Sequence, residues 1–203
     1  MAAPVKDHYV ALWDTRLSGN VTSAANMTLI STDKTKALST AFNTIKNTAQ
    51  SKGKNKKIST MFILCHGYAG ANNAAQVSGD FGGMGLALGL ESVVHGNVSM
   101  WTAIKSKCSN IVVYACGAGD TEPGNEGTTA DGEYLMGALA LHTGAYVYAA
   151  DRIQWYSGGS GANPINFGSW EGQVKCYPPS GEKAFIVTGP DVEISAVYNG
   201  SAP

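Results

Sequence analysis

A histidine and a cysteine stand fifty positions apart, each directly after an apolar segment and directly before a glycine. Residues 58–65, with the sequence ISTMFILC, precede His66, and residues 111–115, with the sequence IVVYA, precede Cys116. A thiol becomes a strong nucleophile when a neighbouring base takes its proton, and imidazole is the side chain that titrates closest to neutral pH. The two residue types together favour nucleophilic catalysis through a covalent intermediate.

Two buried strands must bring these residues together. Short apolar segments bounded by turn residues are typical of strands in a parallel sheet that is covered on both faces. Ligands and reactive groups collect beyond the carboxyl ends of such strands. The sequence therefore predicts strands over 58–65 and 110–115 that are adjacent and parallel. A glycine after His66 lets the backbone turn sharply, and the N–H groups of Gly67 and Cys116 become candidate donors of an oxyanion hole.

The remaining periodicity predicts an α/β fold. Strands and helices alternate along the chain, with a mainly parallel central sheet and helices on both faces. With 203 residues, of which 44% are hydrophobic, the chain has the size and composition of a single domain over 1–203. The predicted elements are strands at 9–14, 58–65, 110–115 and 145–150, helices at 33–50, 100–107 and 131–142, and a small extra strand at 86–90 outside the main sheet. Residues 27–31 are too short a segment to decide, and an edge strand is one option.

The paired motifs resemble those of the caspase-like cysteine peptidases, the group that includes caspases, metacaspases, legumain, gingipains and separase. In caspases the nucleophile lies in Gln-Ala-Cys-x-Gly, and its histidine lies about 50 residues upstream. The match consists of His66 with its glycine and of Ala115-Cys116-Gly117. Tyr114 stands where caspases carry Gln, and Gly117 follows the cysteine directly, so this loop departs from the caspase consensus.

This resemblance implies a caspase-like three-layer sandwich with a mainly parallel central sheet, formed by one caspase-like domain. It implies a cysteine endopeptidase that hydrolyses peptide bonds through a thioester acyl-enzyme, with His66 and Cys116 as a catalytic dyad. It also implies the oxyanion role of Gly67 and Cys116. The expected partner is a protein or peptide substrate, and the oligomeric state is left open.

The resemblance further implies that the primary specificity pocket draws on residues around the cysteine loop and beyond the following strand. In this sequence those residues are Tyr114, Asp120, Asp151, Arg152, Gln154, Trp155 and Tyr156. Asp151 would favour a basic side chain before the scissile bond, and Arg152 an acidic one. Successive residues of a strand point to opposite faces, so one of the two faces the pocket. We expect it to be Asp151, because this residue directly follows the strand.

Charge and cysteine usage narrow the function classes. A net charge of −1 gives no electrostatic reason to expect nucleic acid or an acidic membrane as a partner. The four cysteines form no Cys-x-x-Cys pair and no zinc-ligand spacing, so we expect neither a metal nor a cofactor. There is no apolar stretch long enough for a membrane span and no apolar core of a signal peptide. The expected location is cytoplasmic, although leaderless export stays open.

Other readings of the same residues remain. A catalytically inactive caspase-like module that binds a protein partner would carry the same core pattern. A serine hydrolase is disfavoured, because no Gly-x-Ser-x-Gly follows a strand. The polar residues 117–130 are placed to cover the cleft or to be cut during activation, but an ordinary surface loop fits them equally. Asp14, at the end of the first strand, either approaches His66 or forms a local turn.

Overall fold

The apolar segments of the chain pair into one central sheet. The computed structural model describes residues 7–68, 83–121, 123–157 and 164–202. Within these residues the strands are β1 (Tyr9–Asp14), β2 (Met27–Thr32), β3 (Ile58–Leu64), β4 (His66–Tyr68), β5 (Gly85–Ala87), β6 (Cys108–Tyr114), β7 (Tyr146–Ala150), β8 (Val174–Tyr177) and β9 (Phe185–Val187). The helices are α1 (Leu38–Lys52), α2 (Gly132–Thr143) and α3 (Ile194–Tyr198), together with a 3-10 helix over Val98–Ile104.

Seven of these strands form the central sheet in the order β2-β1-β3-β6-β7-β8-β9. The first five are parallel, whereas β8 and β9 each run antiparallel to the preceding strand. The predicted mainly parallel sheet is thus confirmed, and so is the predicted adjacency of 58–65 and 110–115, now β3 and β6. The predicted extra strand also forms, since β5 pairs antiparallel with β4 in a separate small sheet beyond the end of β3.

The two faces of the sheet carry layers of unequal thickness. Met61 and Ile63 of β3 point into a core that α1, α2 and the 3-10 helix cover. Phe62 and Leu64 point to the opposite face, which α3 and irregular segments cover. Helices flank the sheet on both sides, as expected for a three-layer α/β sandwich, but the second side has only a short helix among the described residues.

Helix α1 begins five residues later than its hydrophobic pattern predicts. Asp33, where the predicted helix begins, instead accepts a hydrogen bond from the Thr35 amide at 2.7 Å and closes a local turn. The amide of Leu38, at the start of the helix, donates to the Glu91 carboxylate at 2.9 Å. The cap therefore comes from a loop more than fifty positions away, which helical periodicity does not reveal.

Helix α2 starts where the sequence predicts. Asp131 is its N-cap, and the carboxylate accepts a hydrogen bond from the Tyr134 amide at 2.9 Å. The same carboxylate accepts from the Gly127 amide at 2.7 Å and from the Thr121 hydroxyl at 2.8 Å. One side chain thus fixes both the helix and the segment that follows the Cys116 loop. None of the helices in the described ranges is long and apolar enough to cross a membrane.

Candidate active site

The register of β3 and β6 places His66 and Cys116 next to each other. The two strands pair in parallel up to Leu64 and Tyr114. His66 and Cys116 each lie two positions further along. Side chains alternate along a strand, so both residues continue the face of Leu64 and Tyr114. Neighbouring strands lie about 4.8 Å apart, so an imidazole and a thiol start from adjacent backbone positions at the carboxyl edge of the sheet.

Gly67 lies directly against the backbone of Cys116. A Cβ atom at position 67 would come 1.9 Å from the carbonyl oxygen of Cys116 and 2.9 Å from its carbonyl carbon. The sequence predicted a sharp turn at this glycine, but the chain continues there as strand β4. Glycine is needed because the two backbones approach too closely for any side chain. This approach also brings the Gly67 amide to the sulfur.

The Cys116 thiol is half-buried and lies among backbone amides. Burial raises the pKa of this thiol, and hydrogen bonds from the amides of Gln154, Gly67 and Cys116 itself lower it only in part. The Glu171 carboxylate raises it further. The net pKa lies above the ordinary value, so the thiol is neutral at pH 7. A base must therefore take the proton as the thiol reacts.

Three N–H groups therefore act on the thiol. Two of them, from Gly67 and Cys116, are the donors predicted for an oxyanion hole. The third comes from Gln154, which the sequence suggested only as a pocket residue. Donors that surround a nucleophilic sulfur are also close to an oxyanion formed on the carbon that the sulfur attacks. The cluster is thus chemically suited to stabilise a tetrahedral intermediate.

The His66 ring is exposed and is held on one side. Its Nε2 atom lies 3.2 Å from the carbonyl oxygen of Arg16. A carbonyl oxygen only accepts, so Nε2 carries the proton in this hydrogen bond and Nδ1 is left to accept another. Among the hydrogen bonds of the described residues, none joins the His66 ring to the Cys116 sulfur. The predicted short distance between them stays a prediction.

Asp14 is linked to His66 through Arg16. Its fully buried carboxylate accepts from Arg16 Nε at 2.8 Å, from the Arg16 amide at 3.0 Å and from the Gly89 amide at 2.8 Å. Burial raises the pKa of Asp14, but the hydrogen bonds from Arg16 and Gly89 outweigh this effect, so the pKa is lowered. Asp14 thereby fixes the segment whose carbonyl group binds His66, which the sequence did not reveal.

Two of the predicted pocket residues have structural contacts. Tyr114 is only 2% exposed, stacks on Phe167 and Trp170 at ring distances of 4.4 and 4.8 Å, and donates its hydroxyl to Glu193. Asp120 is nearly buried, and its carbonyl oxygen accepts from the Gly132 amide at 2.8 Å, which ties the cysteine loop to α2. Tyr114 therefore packs in the core beneath the candidate site and does not line its surface.

The residues after β7 do lie beside the cysteine loop. The Gly117 amide donates to the Arg152 carbonyl at 2.9 Å, and Trp155 is 68% exposed. However, the Asp151 carboxylate accepts from the Gln173 amide at 2.8 Å, and the Asp151 amide donates back to the Gln173 carbonyl at 3.2 Å. The charge expected to select substrates thus stabilises a turn.

Sequence reasoning missed the contribution of Glu171. One of its carboxylate oxygens, Oε2, is buried without a hydrogen-bond partner among the described residues, and the same holds for Oε1 of Gln154. Glu171 lies in an irregular segment without periodicity, so no sequence signal assigns it to the site. In the described ranges, no group of three or more His, Cys, Asp or Glu side chains is arranged to hold a metal ion.

The chain has no match among known proteins: no protein-family model, curated protein or solved structure matches it.

Proposed function

We propose that this protein is a caspase-like cysteine endopeptidase in which Cys116 is the nucleophile and His66 the general base. The observation that supports this most directly is the shared register of β3 and β6, because it sets both residues on one face at the carboxyl edge of a parallel sheet. The amides around the sulfur and the hydrogen bond from His66 to the Arg16 carbonyl add the other parts that acyl transfer requires.

In the acylation step, Nδ1 of His66 takes the thiol proton as the Cys116 sulfur attacks the scissile carbonyl carbon. A C–S bond forms, and the carbonyl oxygen gains the negative charge that the amides of Gly67 and Cys116 stabilise. The C–N bond then breaks, and the amine leaves with the proton from His66. Water, deprotonated by His66, attacks the resulting thioester, and the free acid and the neutral thiol are released.

The structure favours a base that acts during attack over a preformed thiolate–imidazolium pair. Because burial raises the pKa of Cys116, the resting thiol keeps its proton. The hydrogen bond to the Arg16 carbonyl keeps the proton on Nε2 and so leaves Nδ1 as the acceptor. A carbonyl group in this position orients the ring without any acidic residue.

Profiling of a peptide library tests the proposal. We expect cleavage by the wild-type protein and a loss of at least about 1,000-fold in kcat/KM for Cys116→Ala and for His66→Ala, because members of a catalytic unit are each indispensable. Cys176→Ala is the matched control, since Cys176 is a buried thiol on β8. Full activity in Cys116→Ala would contradict the proposal.

A catalytically inactive caspase-like module that binds a protein partner is the second candidate. It is favoured by the absence of a hydrogen bond between His66 and Cys116 among the described residues, and by the 68% exposure of Trp155 beside the cleft. This candidate predicts that the wild-type protein cleaves no peptide and that a bound partner is retained by Cys116→Ala. Trp155→Ala would then weaken the binding.

A further inference from the structure

Two buried acceptor oxygens, on two residues that act on the Cys116 thiol, have no donor in the described part of the chain. One is Oε1 of Gln154, whose side chain is only 4% exposed, and the other is Oε2 of Glu171. Buried acceptors are almost always hydrogen-bonded, because leaving them without a donor destabilises the folded state. A ligand that brings donors would satisfy both oxygens.

Both residues are held close to the sulfur. The amide of Gln154 is one of the three that hydrogen-bond the Cys116 sulfur, and the charge of Glu171 acts on the same thiol. The side-chain nitrogen of Gln154 donates to the carbonyl oxygens of Phe167 at 3.1 Å and of Ser169 at 3.2 Å. The Gln154 side chain is thus fixed with its oxygen available, and it also fixes the segment that leads to Glu171.

The segment around Glu171 is anchored on both sides. On one side, Trp170 stacks on Tyr114 and donates its Nε1–H to Glu193 at 2.6 Å. On the other side, the Gln173 amide donates to Asp151. A segment held between two such anchors is preorganised, so a ligand does not have to order its backbone on binding.

We propose that Glu171 and Gln154 form the primary specificity subsite and accept the side chain of a Lys or Arg residue that precedes the scissile bond. This inference rests on the proposed peptidase function. A cationic side chain supplies several N–H donors for the two oxygens and a charge opposite to that of Glu171. The role that the sequence gave to Asp151 thereby passes to Glu171, because Asp151 is already bound to Gln173.

The subsite is tested with four fluorogenic peptides. They differ only at the residue before the scissile bond, which is Arg, Lys, Gln or Asp. We expect the wild-type protein to prefer Arg and Lys, and Glu171→Gln to lower kcat/KM for these two by about 100-fold with little change for Gln. Asp151→Asn is the matched control, because it removes a nearby charge and keeps an acceptor for Gln173; we expect less than about a threefold change. A preference for Asp, or an unchanged preference for Arg in Glu171→Gln, would overturn the subsite.

A binding measurement separates failure of the subsite from failure of catalysis. N-acetyl-arginine amide is titrated by NMR into Cys116→Ala and into the double variant Cys116→Ala/Glu171→Gln. Binding to the first and a loss of at least about tenfold in the second supports the subsite even if no peptide is cleaved, in which case only the peptidase proposal fails. Equal binding, or none to either protein, overturns the subsite, and cleavage of the Gln peptide would then leave the peptidase proposal intact.

Discussion

At the scale of single residues, main-chain groups position the reactive side chains of the candidate site. Gly67 has no side chain to supply, yet its contact with the Cys116 backbone brings an amide to the sulfur. No hydrogen bond within the described residues joins Asp14 to His66, yet the hydrogen bonds of Asp14 fix Arg16, whose carbonyl binds the imidazole ring. These effects act through main-chain groups, which a pattern of reactive side chains does not display.

The alkylation rate of Cys116 should depend steeply on pH. Burial raises the pKa of this thiol, so only a small fraction is thiolate at pH 7, and that fraction grows as the pH rises toward the raised pKa. Iodoacetamide followed by peptide mapping measures this rate. Cys116 should still react before Cys65, Cys108 and Cys176, which are all buried.

His66→Ala is the control for this measurement. We expect its alkylation rate at pH 7 to be lower than that of the wild-type protein, because His66 is the proposed base that takes the thiol proton as the sulfur attacks. A wild-type rate that reaches its plateau below pH 7 would instead indicate a preformed thiolate–imidazolium pair. Labelling of Cys116 no faster than of the buried thiols would indicate a structural cysteine.

The sequence could predict that His66 and Cys116 follow neighbouring strands, but not where Glu171 lies. Each member of the pair follows an apolar strand, and equal strand endings in a parallel sheet lie side by side. Glu171 follows no strand, and contacts of Trp170 with Tyr114 and Glu193 hold its segment in place. Such contacts join residues far apart in the chain and leave no periodic signal.

At the scale of elements, the segment after the nucleophile has two parts with different environments. Residues 117–120 are buried, and the Gly119 amide donates to the Ala150 carbonyl at 3.0 Å at the end of β7. Residues 123–130, by contrast, are mostly exposed. A cut during activation stays a prediction, and it now belongs to 123–130, because proteases need exposed backbone that can unfold locally.

Asp131 joins this segment to α2, so its removal should affect both. Asp131→Ala deletes the helix cap and the hydrogen bonds from Gly127 and Thr121. We expect the free energy of unfolding to fall by about 2 kcal/mol. Urea unfolding measures this loss, and proteolysis within 123–130 should become faster.

Asp33→Ala provides the comparison, because Asp33 bonds the Thr35 amide in an exposed turn before α1. Its expected loss is less than about 1 kcal/mol. Equal losses for the two variants would mean that Asp131 contributes no more than a local turn. An unchanged proteolysis rate in Asp131→Ala would show that the helix cap does not restrain the segment.

At the scale of the whole molecule, the parallel half of the sheet was more predictable than the layers that cover it. Apolar segments separated by helical patterns predict parallel strands that lie side by side. This pattern predicted that β3 and β6 are neighbours in the sheet. The face covered by α3 is different, because irregular segments that contain Leu17, Ile165 and Phe167 fill much of its core. Irregular segments have no period, so the packing of this face, and with it the position of Glu171, could not be derived from the sequence.

The buried thiols make the whole fold sensitive to alkaline pH. Cys65 and Cys108 are fully buried, and burial raises both pKa values, that of Cys108 to about 12. In the unfolded chain these thiols lose their protons near pH 8.5, whereas in the folded protein they keep them. Their contribution to stability is therefore complete below about pH 8.5 and is lost as the pH rises toward the folded-state values.

Between pH 9 and pH 10, before tyrosines ionise in the unfolded chain, each such thiol should lower the free energy of unfolding by about 1.4 kcal/mol per pH unit. Cys65 and Cys108 together predict a slope of at least about 2.7 kcal/mol per pH unit in urea unfolding. Cys108→Ala should reduce this slope by about 1.4 kcal/mol per pH unit, because Cys108 at the start of β6 then no longer titrates. A free energy of unfolding that stays constant up to pH 10 would mean that both thiols ionise without unfolding, and so that solvent reaches the sheet on its helical face.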